Sequence, residues 1–587
     1  MDQNTVFGPK LKISQQIHKE KYRLPEESFE QSMIRVASAL SDNSVHQREL
    51  LEILLNQRFL PAGRIQTGAG SNKAVTLYNC FVSGDINDNF TGPTGIMERA
   101  TEAAETMRRG GGVGYNFGSL RPRNDLIKSL GSLASGPVSF MHIYDAVCKT
   151  VSSAGHRRGA QMGVLPVWHP DILEFVQAKQ NDHSLTAFNL SVGITDDFMQ
   201  ALDNKEKFSL KFNGKDYLQV DSVELWNDIM KSTWNFAEPG VIFLDTINHW
   251  NNLWYCEYIQ TTNPCSEQPL PANGACLLGS FNLVKYVDKN IEGELVFDYR
   301  RFIHDIHIII RAMDNVIEKS MYPLAAQKEE ALNKRRMGLG ITGFANASEI
   351  LGFSYGSNKS LKFLGAVLRT LRDYSYEESI NLAREKGSFP LFEREQYLQG
   401  KFIETLPKEI KEQIEKHGIR NSHLTSIAPT GTISITADNV SSGIEPVWSL
   451  GYHRKVNTLK GPITEFFSDY AFREHRIVSK TADECTAQEH LSVLLLAQTY
   501  VDSAVSKTCN VSNKMPWTDF KELYSQAWRG GAKGLSTFNV NGKRKGILTH
   551  EKDRSDFKEI GYKEILDDEQ ESLSCYIDKE TGQRSCG

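Results

Sequence analysis

Residues 263–267 read Asn263-Pro264-Cys265-Ser266-Glu267, and Cys276 follows eleven residues after Cys265. A thiol, a carboxamide and a carboxylate this close together can do radical, nucleophilic or thiol–disulfide chemistry. A lone cysteine is more often a buried apolar residue than a nucleophile; Glu267, two residues along, lifts Cys265 above that reading. A cysteine protease would need a histidine base oriented by a third group, and no such signature surrounds Cys265. The nine cysteines form no C-x-x-C pair, so neither a dithiol redox motif nor a zinc ribbon is indicated.

Other candidates are weaker. The three Gly-Lys pairs are followed by Asp216, Phe402 and Arg544, so there is no Walker A loop. The run Gly110–Gly118 is glycine-rich without matching G-x-G-x-x-G; it allows close backbone approach to a ligand or merely tight packing. His304 and His307 lie three apart on a helical pattern with no third metal ligand evident, and no metal site is expected. In Ile427–Ser434, hydroxyls and glycine-freed N–H groups at a turn could cradle phosphate oxygens.

The elements that must position these residues read as α/β. The chain has 587 residues, 40% hydrophobic and 24% charged, with a net charge of -5. That balance argues against a general nucleic-acid binder. No apolar run reaches about 18 residues, and no signal-peptide profile opens the chain, so no membrane partner and a cytoplasmic location are expected. Residues 1–65 read as a helical N-terminal region and 66–541 as a single catalytic domain. Residues 542–587 read as a polar, mobile tail carrying Cys575 and Cys586. Helices are predicted over 301–322 and 361–386, the second ending at Gly387. Short β-like segments are Gly240–Leu244 and Thr432–Ile435.

The ordered set of motifs resembles ribonucleotide reductase large subunits over about 380 residues. It comprises Asn79-Cys80-Phe81-Val82, the glycine run ending Leu120-Arg121-Pro122, Arg157-Arg158-Gly159-Ala160-Gln161-Met162-Gly163 and Asn263–Glu267. Gly279-Ser280-Phe281-Asn282-Leu283, Arg336-Met337-Gly338-Leu339-Gly340 and the Ala428–Thr432 turn complete it. The resemblance implies a ten-stranded α/β barrel of two five-stranded halves, with Cys265 on a central finger loop. It implies that Cys265 becomes a thiyl radical and takes the ribose 3′-hydrogen. Glu267 would accept the 3′-OH proton, and Asn263 would orient the ribose hydroxyls. Cys80 and Cys276 would supply the electrons and end as a disulfide. Cys575 and Cys586 would re-reduce that disulfide and be recharged by thioredoxin or glutaredoxin. Thr430, Gly431 and Thr432 would hold the substrate phosphates. Asp88, Arg157, Arg158 and Gln161 would belong to a deoxynucleotide effector site at a homodimer interface. No extra ATP-binding cone domain is expected ahead of the core pattern.

Three radical sources divide the family. Class I chains relay a radical from a metal subunit through two adjacent tyrosines. At the corresponding place this chain has Ser536 and Thr537, and no Tyr-Tyr pair occurs anywhere. The segment Ala532–Lys543 and the Cys265–Cys276 spacing resemble the class II, adenosylcobalamin-dependent enzymes. The tail end, Arg584-Ser585-Cys586-Gly587, lacks the aromatic residue expected after the glycine of a class III glycyl-radical terminus. The alternatives are a class I subunit, a catalytically silent nucleotide-binding regulator and a plain thiol oxidoreductase. The last leaves Asn263 and Glu267 unexplained.

Overall fold

The computed structural model describes residues 7–539 apart from 154–156, 159, 181–183 and 459–460, together with two later strands, Tyr576–Ile577 and Arg584–Ser585. Three helices open the chain: Lys12–Tyr22, Phe29–Leu40 and Ser44–Leu55. The second starts on a reciprocal cap. The Ser28 hydroxyl accepts from the Gln31 N–H, and the Gln31 side chain accepts from the Ser28 N–H. Its residues Phe29, Met33, Val36, Ala37 and Leu40 fall on one stripe and are buried. The chain then enters strand Phe59–Pro61, which runs antiparallel to Gly279–Phe281.

Two sheets of more than two strands dominate the rest of the described residues. In the larger, five parallel neighbours follow in sequence: Cys80–Val82, Gly112–Asn116, Gln161–Pro166, Phe188–Ile194 and Gly240–Phe243. Both flanks turn antiparallel. Ala275–Cys276 pairs with Cys80–Phe81 on one side, and Gly534–Asn539 pairs with Gly240–Phe243 on the other. Thr508–Val511 adds in parallel beyond it. The smaller sheet holds Phe59–Pro61, Leu278–Asn282 and Gly338–Thr342. Isolated parallel bridges, Leu339 to Thr425 and Ile427 to Val505, extend its pairing. Strands Gln161–Pro166 and Phe188–Ile194 are buried at every position, as parallel strands covered on both faces must be.

The helical expectations hold with shifted ends. The first long helix runs Tyr299–Lys319, capped by Asp298, whose carboxylate accepts from the Arg301 N–H at 3.0 Å. The second runs Asn358–Lys386 and stops at Gly387, whose φ of +83° suits glycine. His304 and His307 do not converge on a common ligand: His307 meets Glu378 at 3.0 Å, whereas His304 lies beside Asp305 at 3.4 Å. Strand Gly240–Phe243 ends one residue early, because Leu244 opens a helix. The segment Thr432–Ile435 is a correction: it is helical, within Gly431–Ile435. Thr430 adopts a left-handed φ of +55° and turns the chain. Its carbonyl then accepts from the Ser434 N–H at 2.9 Å, which closes a helical turn rather than a ladder.

The central hairpin pairs Thr261–Thr262 antiparallel with Pro269–Leu270, leaving 263–268 as its tip. Glycines let it approach the sheets. A Cβ on Gly114 would fall on the Thr262 carbonyl oxygen, and one on Gly112 would stand 3.2 Å from Pro264 Cγ and 3.4 Å from Cys80 Sγ. On the other sheet a Cβ on Gly338 would fall on the Gln268 amide, and one on Gly340 on the Ser426 carbonyl. The glycine-rich run therefore serves backbone-to-backbone packing of the finger. Gly114→Ala should cost about 1–3 kcal/mol, as overpacking of a rigid interior does. Urea unfolding measures this.

Candidate active site

The finger tip is a turn tied to itself. The Asn263 N–H donates to the Gln268 carbonyl at 3.1 Å, and the Ser266 N–H donates to the Asn263 carbonyl at 3.0 Å. Ser266 takes a left-handed φ of +67° to make this possible. The Asn263 Oδ1 accepts from the Gln268 N–H at 2.9 Å and the Thr262 hydroxyl at 3.2 Å. These bonds fix the carboxamide's oxygen and leave its Nδ2 donor buried without a partner among the described residues. Contacts from outside help to hold the tip: Asn189 Nδ2 donates to the Pro264 carbonyl at 2.9 Å, and the Ala504 N–H donates to the Glu267 carbonyl at 3.0 Å.

Asn263, Cys265 and Glu267 are fully buried. Cys265 is disulfide-bonded in this structure, so the form able to give up a hydrogen atom is the reduced one. Cys80 and Cys276 are free, buried thiols directly opposite one another on antiparallel strands. Facing positions on an antiparallel pair have Cα atoms about 4.5–5.5 Å apart, within the range a disulfide spans. Burial pushes the Cys276 thiol well up. A hydrogen bond to Cys80, its charge and that of Glu267 push the same way, and the Arg336 guanidinium opposes them.

A polar brace stands behind the tip. Asp502 accepts from the Leu424 N–H at 2.7 Å, the Thr425 N–H at 2.9 Å and the Tyr376 hydroxyl at 2.9 Å. Burial raises its carboxyl. Lys533 donates to the carbonyls of Asp502 and Ser503, both at 2.6 Å. Burial pulls the Lys533 ammonium down to about 7 against the pull of Asp502. A second buried pair, Lys507 with Glu445 at 2.7 Å, ties the 441–447 loop to strand Thr508–Val511; the other Glu445 oxygen accepts from the Thr508 N–H at 2.6 Å. Sequence reasoning assigned no role to Lys533, Lys507 or Glu445, because nothing in local spacing marks them.

The turn at Thr430 is held from both sides. Its hydroxyl meets that of Thr342 at 2.8 Å and accepts from the Gly443 N–H at 2.7 Å. Strand Arg584–Ser585 of the tail packs on helix Gly431–Ile435, which starts at this turn. Cys575 and Cys586 lie outside the described residues. The effector candidates are dispersed in role. Asp88 forms an ion pair with Arg121 at 2.6 Å. Arg157–Arg158 is a short strand paired with Ser152–Ser153. Gln161 is fully buried, accepting from the Tyr115 hydroxyl at 2.9 Å and donating to the Tyr144 carbonyl at 3.2 Å.

A finger-borne cysteine buried beside a facing thiol pair, between α/β sheets, defines an enzyme of thiol-based redox chemistry. Residues 78–538 match the ribonucleotide reductase barrel domain. A vitamin B12-dependent ribonucleoside-diphosphate reductase of Mycobacterium tuberculosis is 34% identical over 528 residues, covering 85% of this chain and 71% of that protein. One from Thermoplasma acidophilum is 33% identical over 556 residues, covering 89% and 69%. A vitamin B12-dependent ribonucleotide reductase of Streptomyces avermitilis is 26% identical over 607 residues, covering 89% and 62%. The chain belongs to the ribonucleotide reductase family, and its reaction is the reduction of ribonucleotides to 2′-deoxyribonucleotides.

Burial orders the thiols by reactivity, since the thiolate is the nucleophile. In the folded protein at pH 8, iodoacetamide should label the exposed Cys256 at least about tenfold faster than Cys80 or Cys276. Peptide mass mapping reads the order, and equal labelling would contradict the closed site.

Proposed function

We propose that this chain is a class II reductase that uses adenosylcobalamin and no metal subunit. Two observations support this: the similar proteins are named for vitamin B12 dependence, and the relay positions hold Ser536 and Thr537. Both are buried on strand Gly534–Asn539, with the Thr537 hydroxyl 2.9 Å from that of Tyr524. Neither side chain carries an electron hole at an accessible potential. A radical that begins beside Cys265 fits these residues; one relayed through 536 and 537 does not. When bound, adenosylcobalamin supplies the radical equivalent that removes the hydrogen atom from Cys265.

The chain's own residues do the rest. Reduced Cys265 takes the 3′-hydrogen of the ribose. The unfilled Nδ2 donor of Asn263 binds a ribose hydroxyl and fixes the sugar over the tip. Glu267 takes the 3′-OH proton and passes it to the 2′-hydroxyl, which departs as water and leaves Glu267 a carboxylate again. Cys80 and Cys276 deliver two electrons and two protons as their S–S bond forms, and Cys265 returns the abstracted hydrogen to the 3′-carbon, becoming a thiyl radical again. The Thr430–Thr432 turn cradles the phosphates with the first N–H groups of the following helix. Cys575 and Cys586 then reduce the disulfide by exchange and are recharged by thioredoxin or glutaredoxin. The packing of strand Arg584–Ser585 near the phosphate turn supports that reach.

The same reading extends to architecture and control. We read the two sheets, with the bridges at Thr425 and Val505, as parts of one ten-stranded barrel of two five-stranded halves, a reading that their strand pairings support. Asp88, Arg157, Arg158 and Gln161 would serve a deoxynucleotide effector at a homodimer interface. A cytoplasmic location accords with this chemistry; no described helix is long and apolar enough to cross a membrane.

The purified chain should form deoxyribonucleotides with adenosylcobalamin and dithiothreitol alone, assayed on both di- and triphosphates. Activity that appears only with a metal-loaded partner would establish class I instead. Cys265→Ala should abolish turnover and leave nucleotide binding intact, and turnover that survives it would end the thiyl mechanism. A wild-type chain that binds nucleotide without turnover would be a silent regulator.

A further inference from the structure

Arg336 is buried at 5% exposure, yet only one of its nitrogens has a hydrogen-bond partner among the described residues: Nη2 donates to Glu257 Oε1 at 2.6 Å. The other two, Nε and Nη1, are shielded from solvent with no acceptor. Leaving donors of a charged group unfilled in the interior is costly. A native protein that does so calls for a reason.

Strand register supplies one. Leu278 lies opposite Gly338 in a parallel ladder, and the Gly338 N–H donates to the Leu277 carbonyl at 2.8 Å. Two residues before them in sequence stand Cys276, which ends the neighbouring strand Ala275–Cys276, and Arg336. A Cβ on Gly338 would meet Gln268 of the finger. Arg336 is buried close to Cys276, and its charge acts on that thiol. The groups facing Cys276 are Cys80 from its partner strand, Glu267 from the finger and Arg336. Around Arg336 stand Glu257, with Lys334 on its other oxygen at 2.8 Å and Glu330 beyond at 2.7 Å. His423 and Lys533 are also within its electrostatic reach.

We infer that Arg336 stabilises the negative charge that the Cys80–Cys276 pair carries while it reduces the substrate. The inference rests on the reductase reading above. Electron counting requires such a charge. One thiol gives the substrate a hydrogen atom, leaving a sulfur radical. The other gives its proton to the Glu267 carboxylate, leaving a thiolate. Radical and thiolate join into a sulfur–sulfur bond holding one extra electron and one negative charge. That electron passes to the substrate, by then a closed-shell 3′-ketone, and the proton on Glu267 follows it; the substrate becomes a 3′-radical again and a neutral disulfide remains. The anionic state forms in a dry site beside a carboxylate, where a preorganised cation has its largest effect. The unfilled N–H edge of Arg336 is a donor set waiting for it.

The test compares wild type, Arg336→Gln and Arg336→Lys, each with adenosylcobalamin. It measures nucleotide affinity, exchange of the substrate's 3′-hydrogen and deoxynucleotide formed per chain. Arg336→Gln should keep affinity and exchange while product formation falls about a hundredfold. Arg336→Lys should recover part of it, with a new fall in rate at alkaline pH, because a buried ammonium loses its proton where a guanidinium does not. Product formation within threefold of wild type in Arg336→Gln, or exchange and product falling together, would overturn the inference. If Arg336→Gln does not fold, Arg336→Lys decides: a pH profile identical to wild type overturns it. A wild-type chain that makes no product under these conditions counts against the class II reading and not against Arg336.

Discussion

The whole site depends on one steric condition: the finger must run backbone-close to strands of both sheets. Gly112 and Gly114 clear its path on one side, and Gly338 does so on the other. Reacting atoms must come within about 3–3.5 Å of one another, so a finger displaced by one methyl group carries Cys265 out of range. The self-tied turn at Asn263 and the anchors at Asn189 and Ala504 convert that close packing into a fixed tip.

Dryness is the second condition, and it makes every charge near the tip consequential. Glu267 is buried where a carboxylate is expensive, and Cys276 is pushed toward its protonated form. Cations are placed with unequal duties. Lys533 spends its hydrogen bonds on two carbonyls and braces the segment that holds Glu267. Arg336 keeps an edge unfilled. One is a fastener, and the other is positioned to respond to charge that comes and goes.

Legibility in the sequence followed the locality of each cause. The pentapeptide stood out because a thiol, a carboxamide and a carboxylate fall within five positions, and the structure adds its place at the tip of a hairpin. The long helices could be read from periodicity and from Gly387. The α/β class followed from the alternation of elements. The helix at Gly431–Ile435 was misread because four residues of alternating apolar character suit either state, and the left-handed Thr430 that decides between them leaves no local signal. The pairing of Cys80 with Cys276 came only through the family resemblance, since no spacing rule links cysteines so far apart. The place of Arg336 arises from the register of two strands about sixty residues apart in sequence, which no reading of its neighbours could supply.

Cys80 and Cys276 also sit where the direction of the sheet reverses, on the seam joining the first parallel set to the strands that lead into the second. A bond between them would close a loop of about two hundred residues. Each catalytic cycle would therefore rivet this seam and release it again. The protein would alternate between two covalent topologies, the oxidised one with less freedom to open along that seam.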